Sequence, residues 1–200
     1  MSTRLFSFRG GDTGRWRVTD MAARAGAPLP AASRLDIATS AETPSDPQAS
    51  WVLRGITSNE RYVERGERTE IVAQQLELGR SETTRAALIA IRKNDAWWAL
   101  TQDERLNIFK AQSHHTRIGM QHFPTLARRL HHCRDLSDHE PFDFLTWFEY
   151  TPDQEDTFNR LVAGLRAIEE WKYVEREVDI RLVRDEAYSL DDAALRSQIL

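Results

Sequence analysis

"RAALIAIRK", residues 85–93, decides how the rest of the chain is assembled. Six apolar residues run without a break from Ala86 to Ile91 and read as a short buried strand. Downstream, "TQDE" (101–104) is a capping box, with Thr101 as N-cap and Glu104 three residues on. It predicts a helix to about Phe123, where Pro124 stops it. "RRLHHCRDL" (128–136) and "FDFLTWFEY" (142–150) read as two strands joined by the polar turn "SDHEP". "TPDQ" (151–154) opens a second helix in the same way, with Pro152 at its first position, and that helix reaches about Glu170. "VEREVDIRLV" (174–183) alternates: Val174, Arg176, Val178, Ile180 and Leu182 take one face, and Glu175, Glu177, Asp179 and Arg181 the other. The order from residue 85 is therefore β-α-β-β-α-β, the ferredoxin-like order. Helices segregated to one face of an antiparallel sheet make the class α+β.

The first half is less regular. "TRLFSFRG" and "GRWRVTD" look like two short strands joined by the turn "GDTG" (11–14). A phosphate-loop reading of that turn is weak, because the helix that should follow is missing. Residues 21–49 are rich in Ala, Pro and Ser and read as a long, flexible connection. "SWVLRGITS" then reads as a strand and "ERTEIVAQQLEL" (67–78) as a helix. The last segment, "LDDAALRSQIL", reads as a short helix or a tail. The expected division is a reduced N-terminal ferredoxin-like subdomain over 1–95 and a C-terminal one over 96–200, although no sequence repeat is visible.

Composition narrows the function classes. The chain has 200 residues, 40% of them apolar and 29% charged, as befits a soluble globular protein. No apolar run approaches the roughly 20 residues of a membrane span. The N-terminus lacks the apolar core of an export signal, so a cytoplasmic location is expected. A net charge of −4 argues against nucleic acid as the main partner. A single cysteine, Cys133, leaves no internal disulfide and no Cys-rich zinc site. Among six tryptophans, Trp97 and Trp98 are adjacent. On a helix they point about 100° apart, which suits either a helix wedged between apolar layers or an aromatic-lined flat pocket.

Five of the six histidines lie in "SHHTRIGMQHFPTLARRLHHC" (113–133). On a helix, His114 falls in line with Asn107, Lys110, Arg117 and Gln121, a polar face. His115 falls in line with Ile108, Ala111, Ile118, Gly119 and His122, a mostly apolar one. Gly119, one turn past His115, leaves a gap. A buried histidine beside a gap suits a flat ligand; it equally suits a core histidine bonded to a neighbour. On the following strand Arg128, Leu130, His132 and Arg134 share one face, and Arg129, His131 and Cys133 the other. Zinc needs three or four converging ligands, which "HHC" on a strand does not offer. Arg128 is either an inward guanidinium that needs an anion or half of a surface arginine pair.

Taken together, "IRKNDAWWALTQDER", "QSHHTRIGMQHFPTLARRLHHCRDL", "FDFLTWFEY" and "LRAIEEWKYVEREVDIRLVR" resemble the chlorite dismutase family of haem proteins, and more closely its short cytoplasmic branch. The resemblance covers roughly residues 50–184 and is strongest from residue 97. It implies a pair of ferredoxin-like units of the dimeric α/β-barrel type, with haem b in the C-terminal one. The family's axial histidine stands thirteen residues before a distal arginine, a spacing met by His115 and Arg128 and not by His114. The resemblance makes His115 the iron ligand and Glu170 its carboxylate partner, with Glu169 as the competing assignment. It lines the haem with Leu130, Thr146, Phe148 and Leu161, and places Trp97 and Trp98 near the haem edge.

The implied reaction converts chlorite to chloride and dioxygen through a ferryl species, with Arg128 holding the anion. A homodimer is implied too. The alternatives are a non-catalytic haem-binding or sensor protein, a haem peroxidase-like enzyme of the same fold, or a ferredoxin-like dimer that binds a small ligand through its sheet. His122, His131 and His132 take no assigned role.

Overall fold

The computed structural model describes residues 4–39, 48–57, 65–122 and 125–185. Among them, eight antiparallel strands close into a barrel: β1 (Leu5–Gly11), β2 (Trp16–Ala25), β3 (Arg34–Ala38), β4 (Trp51–Ile56), β5 (Arg85–Lys93), β6 (Ala127–His132), β7 (Phe144–Tyr150) and β8 (Val174–Arg184). The order around the barrel is β1-β3-β2-β8-β5-β7-β6-β4, and β4 returns to β1. The helices are α1 (Arg65–Gln74), α2 (Asp95–Ala99), α3 (Gln102–Asn107), α4 (His115–Met120) and α5 (Glu155–Arg166).

β5 is covered on both faces, which is why its sequence is an unbroken apolar run. Leu88 and Ala90 point into the barrel, where they join Leu145, Trp147, Val178 and Ile180. Ala87 and Ile89 point outward, against Phe148 of β7 and Phe158, Leu161 and Val162 of α5. The barrel therefore has a filled interior and a second apolar layer outside it, under α5. β8 behaves similarly. Its second face, Glu177, Asp179 and Arg181, also lies under cover, and its carboxylates are neutralised there. Arg166 of α5 pairs with Glu177 and, at 2.8 Å, with Asp179, while Arg181 Nε lies 2.5 Å from Asp179.

Several elements differ from the expectation. Residues 21–49 are not simply a connection: β2 continues to Ala25, and β3 occupies Arg34–Ala38. Met21 and Ala23 pair with Ile180 and Val178, so the alanine-rich end of β2 is held by its neighbour in spite of weak strand propensity. Leu35 anchors β3 in the barrel core, opposite Gly10 and Trp16. The helix expected to run unbroken from residue 101 is interrupted. The Thr101 capping box forms, with its amide 2.8 Å from Glu104 Oε2. Ile108–Gln112 then widens into a π turn closed by Ser113 N–H to Ile108 O at 2.9 Å. His114 takes a left-handed φ of 50°, and α4 starts afresh. Its expected end at Phe123 and Pro124 lies outside the described residues, as does "LDDAALRSQIL". The second helix stops at Arg166; Glu169–Tyr173 is a separate 3-10 turn. No described helix is long and apolar enough to cross a membrane.

Gly10 is under a tight steric constraint. The Trp51 indole lies across Gly10, so a Cβ there would stand 2.1 Å from the ring, and Trp51 Nε1 is pinned to Pro30 O at 3.0 Å. Gly10→Ala is expected to destabilise the protein by about 1–3 kcal/mol through overpacking. Urea unfolding followed by tryptophan fluorescence should show a lower midpoint with an unchanged slope.

Candidate functional site

Strand register builds one wall of a cavity on the outside of the barrel. Thr146 of β7 stands between Ile89 and Leu130, Phe148 between Ala87 and Arg128, and Phe144 between Ile91 and His132. These side chains share the outward face because the strand period is two. Helices supply the opposite wall: Trp97 of α2, His115, Thr116 and Gly119 of α4, and Leu161, Val162 and Leu165 of α5. Ile71 of α1, Phe109, Glu170 and Trp171 also line it. The space, counted with its open mouth, is about 1190 Å³, and its surface is predominantly apolar.

His115 enters from the helix side. The left-handed residue His114 breaks the helix just before it, so α4 can leave in a new direction. The Phe109 ring, carried by the π turn, stacks on the imidazole with centroids 4.3 Å apart. Behind the ring, His115 Nδ1 lies 2.6 Å from Glu170 Oε2. Glu170 is 4% exposed and fully engaged. Its other oxygen accepts from Lys93 Nζ at 2.8 Å, its carbonyl accepts from the same ammonium at 3.1 Å, and its amide donates to Ser113 Oγ at 2.9 Å. Lys93 is 2% exposed and sits over the Trp97 and Trp171 rings.

Burial alone would raise the Glu170 carboxyl. The charge and hydrogen bonds of His115 and Lys93 overcome it and hold the group at about 2. Burial pulls Lys93 below the ordinary lysine range, and Glu170 opposes that pull. An ionised Glu170 can only accept, so His115 Nδ1 carries the proton. In the neutral imidazole Nε2 is then the basic nitrogen available to a ligand.

Arg128 enters from the sheet side and is half-buried; its carbonyl accepts from Gln75 Nε2 at 2.8 Å. The cavity thus brings together His115, Glu170, Arg128, Leu130, Thr146, Phe148, Leu161 and Trp97. Trp98 is not part of the lining. Its ring stacks on Phe144, the Arg134 guanidinium lies 4.2 Å from it, and its Nε1 donates to Asp143 at 3.3 Å. The two tryptophans diverge because consecutive helical residues do. Of the paired glutamates, Glu169 faces Lys172 near the surface and Glu170 meets His115.

His114 is exposed, His132 lies in the cavity wall, and His131 points into the barrel. The helical-face argument holds only locally, since Ala111, assigned to the apolar face, is exposed. Sequence reasoning missed Lys93 and Ser113. The signal for Lys93 was a lysine ending an apolar strand one residue before the Asn94 cap of α2.

No family model matches the chain. A curated relative, the chlorite dismutase of Ideonella dechloratans, is 36% identical over 88 residues, 44% of this chain and 28% of the relative. The chain thus spans a little over a quarter of that relative's length. Dimeric chlorite dismutase from Nitrobacter winogradskyi superposes with a TM-score of 0.83 and 53% identity, covering 90% of this chain and 99% of that one. A chlorite dismutase variant from Candidatus Nitrospira defluvii, 20% identical, shares the fold with a TM-score of 0.66 over 92% of each chain. The chain belongs to the chlorite dismutase family.

The buried ion pair gives a quantitative expectation. Because the folded-state carboxyl is depressed, its stabilisation is complete above the ordinary value of 4.5 and is lost as pH falls toward about 2. Glu170→Gln should cost about 3 kcal/mol by leaving Lys93 buried and unpaired. It should also flatten the acid limb of the unfolding curve. Adding Lys93→Met should recover most of the loss in a double-mutant cycle.

Proposed function

We propose that this chain is a haem b chlorite dismutase that converts chlorite to chloride and dioxygen. The observation that carries the reading is the pairing, across one apolar cavity, of a carboxylate-backed imidazole with a guanidinium. The fit to haem rests on the donor set. Among the described residues no cluster of three or more His, Cys, Asp or Glu converges on a point, so a bare ion finds no ligand shell. An iron that brings four nitrogens of its own needs one protein ligand, and His115 Nε2 answers that need. A flat apolar macrocycle suits the wall of Leu130, Thr146, Phe148 and Leu161.

Bound haem supplies the redox chemistry. The chain's own residues do the rest. Glu170, held ionised by Lys93, fixes the His115 tautomer and increases the basicity of Nε2. Arg128 attracts the oxychlorine anion and holds it in the cavity throughout the reaction. A guanidinium keeps its charge at any working pH, and the apolar wall around it strengthens its pull. Trp97 closes the cavity beside Lys93.

In this reading the C-terminal ferredoxin-like unit carries the haem, and it begins with β5 at residue 85 and not at residue 96, because β5 pairs with β7 and β8. The strands before residue 57 are the reduced partner unit that completes the barrel. The dimeric Nitrobacter relative supports a homodimer, and a cytoplasmic enzyme is consistent with the sequence.

The deciding experiment adds chlorite to haem-loaded protein in an oxygen electrode. Dioxygen release is expected; haem uptake without dioxygen would leave the binding or sensor reading. His115→Ala should lose most of its haem while His114→Ala retains it, read from absorbance after gel filtration. Arg128→Ala should keep its haem, evolve less dioxygen and release more hypochlorite to a chlorination trap.

A further inference from the structure

The 3-10 turn Glu169–Tyr173 brings two consecutive side chains, Glu170 and Trp171, to the cavity. Successive side chains of such a turn diverge by about 120°, so the two take different partners. Trp171 Nε1 donates to Glu177 Oε2 at 2.9 Å. Glu177 lies on β8 at 2% exposure, and its other oxygen accepts from Arg166 Nε at 2.7 Å. Arg166 ends α5, the helix whose Leu161, Val162 and Leu165 line the cavity. One buried carboxylate therefore clamps both the turn and the end of α5 to the sheet. Ser113 and Asn94 hold the backbone of the turn, through the Glu170 amide and the Tyr173 carbonyl. The Trp171 indole fastens it to β8.

The same indole reaches the ion pair behind His115. Lys93 Nζ lies 5.6 Å from the centroid of the Trp171 ring and 4.8 Å from that of Trp97. The face of an indole is negative, and it attracts an ammonium most strongly where water is excluded. The Trp171 N–H ends on a carboxylate, which polarises the ring and makes its face more negative still. The ring thus compensates the buried ammonium alongside Glu170. An ammonium held on that face stays within reach of Glu170 Oε1, 2.8 Å away.

We propose that Trp171 is a positioning residue for His115: clamped by Glu177, its indole holds the turn and Lys93 in place, so that the Glu170 carboxylate stays behind the imidazole. The inference rests on reading the cavity as a haem site with His115 as the iron ligand. Trp171 acts there through Glu170. A firmly held carboxylate makes the imidazole more anionic, which strengthens Nε2 as a donor to iron and lowers the reduction potential. Loosening the carboxylate reverses both effects.

The test compares two variants. Trp171→Phe keeps an aromatic face and removes the N–H. Glu177→Gln removes the charge behind the indole while Arg166 keeps its pair with Asp179 at 2.8 Å. In the haem-loaded ferrous protein both should lower the iron–histidine stretching frequency, read by resonance Raman. Both should also raise the midpoint potential. The shifts should follow the direction of Glu170→Gln and be smaller, and in a Glu170→Gln background Trp171→Phe should add nothing. Wild-type frequency and potential in either variant would overturn the proposal. So would an undiminished shift in the double variant, since the indole would then act on the bound group directly. The haem-free protein gives an independent reading. There the His115 Nδ1 proton, bonded to Glu170 at 2.6 Å, should resonate far downfield in the NMR spectrum and move upfield in Trp171→Phe. A wild-type chain that takes up no haem would sink the haem reading alone, whereas a downfield proton that Trp171→Phe leaves in place would sink this one.

Discussion

A carboxylate taken out of water must be compensated, and much of this site is arranged around that requirement at Glu170. The carboxylate spends one oxygen on His115 and the other on Lys93. Lys93 is itself buried, so neither charge is tolerable without the other. The pair also ties distant parts of the chain together: the end of β5, the broken helix that carries His115, and the 3-10 turn that leads into β8. Ser113, just before the left-handed residue, receives the Glu170 amide and so fixes the turn to the break. The orientation of the imidazole is consequently a tertiary property. α4 is too short to hold its first residue by helical propensity alone.

Strand register does for the sheet wall what this ion pair does for the helix wall. β5, β6 and β7 present aligned rows outward while their intervening residues fill the barrel. One ladder therefore stabilises the fold and shapes the cavity. The buried carboxylates of Glu177 and Asp179 and the half-buried guanidiniums of Arg166 and Arg181 flank the same sheet and hold α5 over it. Stability and site geometry are not separable here, because β5 and β8 each serve an inner and an outer layer.

The C-terminal half was legible because its signals are local. The Thr101 capping box, a turn rich in polar residues and clean alternation each mark an element without help from the rest of the chain; the Thr151 box does not form, and Pro152–Gln154 is a 3-10 turn ahead of α5. The faces of β6 were legible for the same reason, and alternation alone put Arg128, Leu130 and His132 together. β3 was not legible: its five residues are embedded in Ala, Pro and Ser, and they become a strand because β1 and β2 pair with them. The break at His114 was invisible, since no glycine or proline marks the residue that takes the positive φ. Lys93 was missed because a lysine at a strand end normally reaches solvent; only the fold shows that Glu170 and two indoles enclose it.

The alternation of β6 has one more implication, for insertions and deletions. Shifting this strand by a single residue would carry Arg128 into the greasy interior and turn His131 outward, exchanging the contents of two compartments at a stroke. Point substitutions in β6 can be graded in severity, whereas a one-residue length change within the strand cannot. A length change between β6 and β7 leaves both compartments furnished as they are only if it falls in the turn over 137–141 and spares Glu140, which pairs there with Arg54.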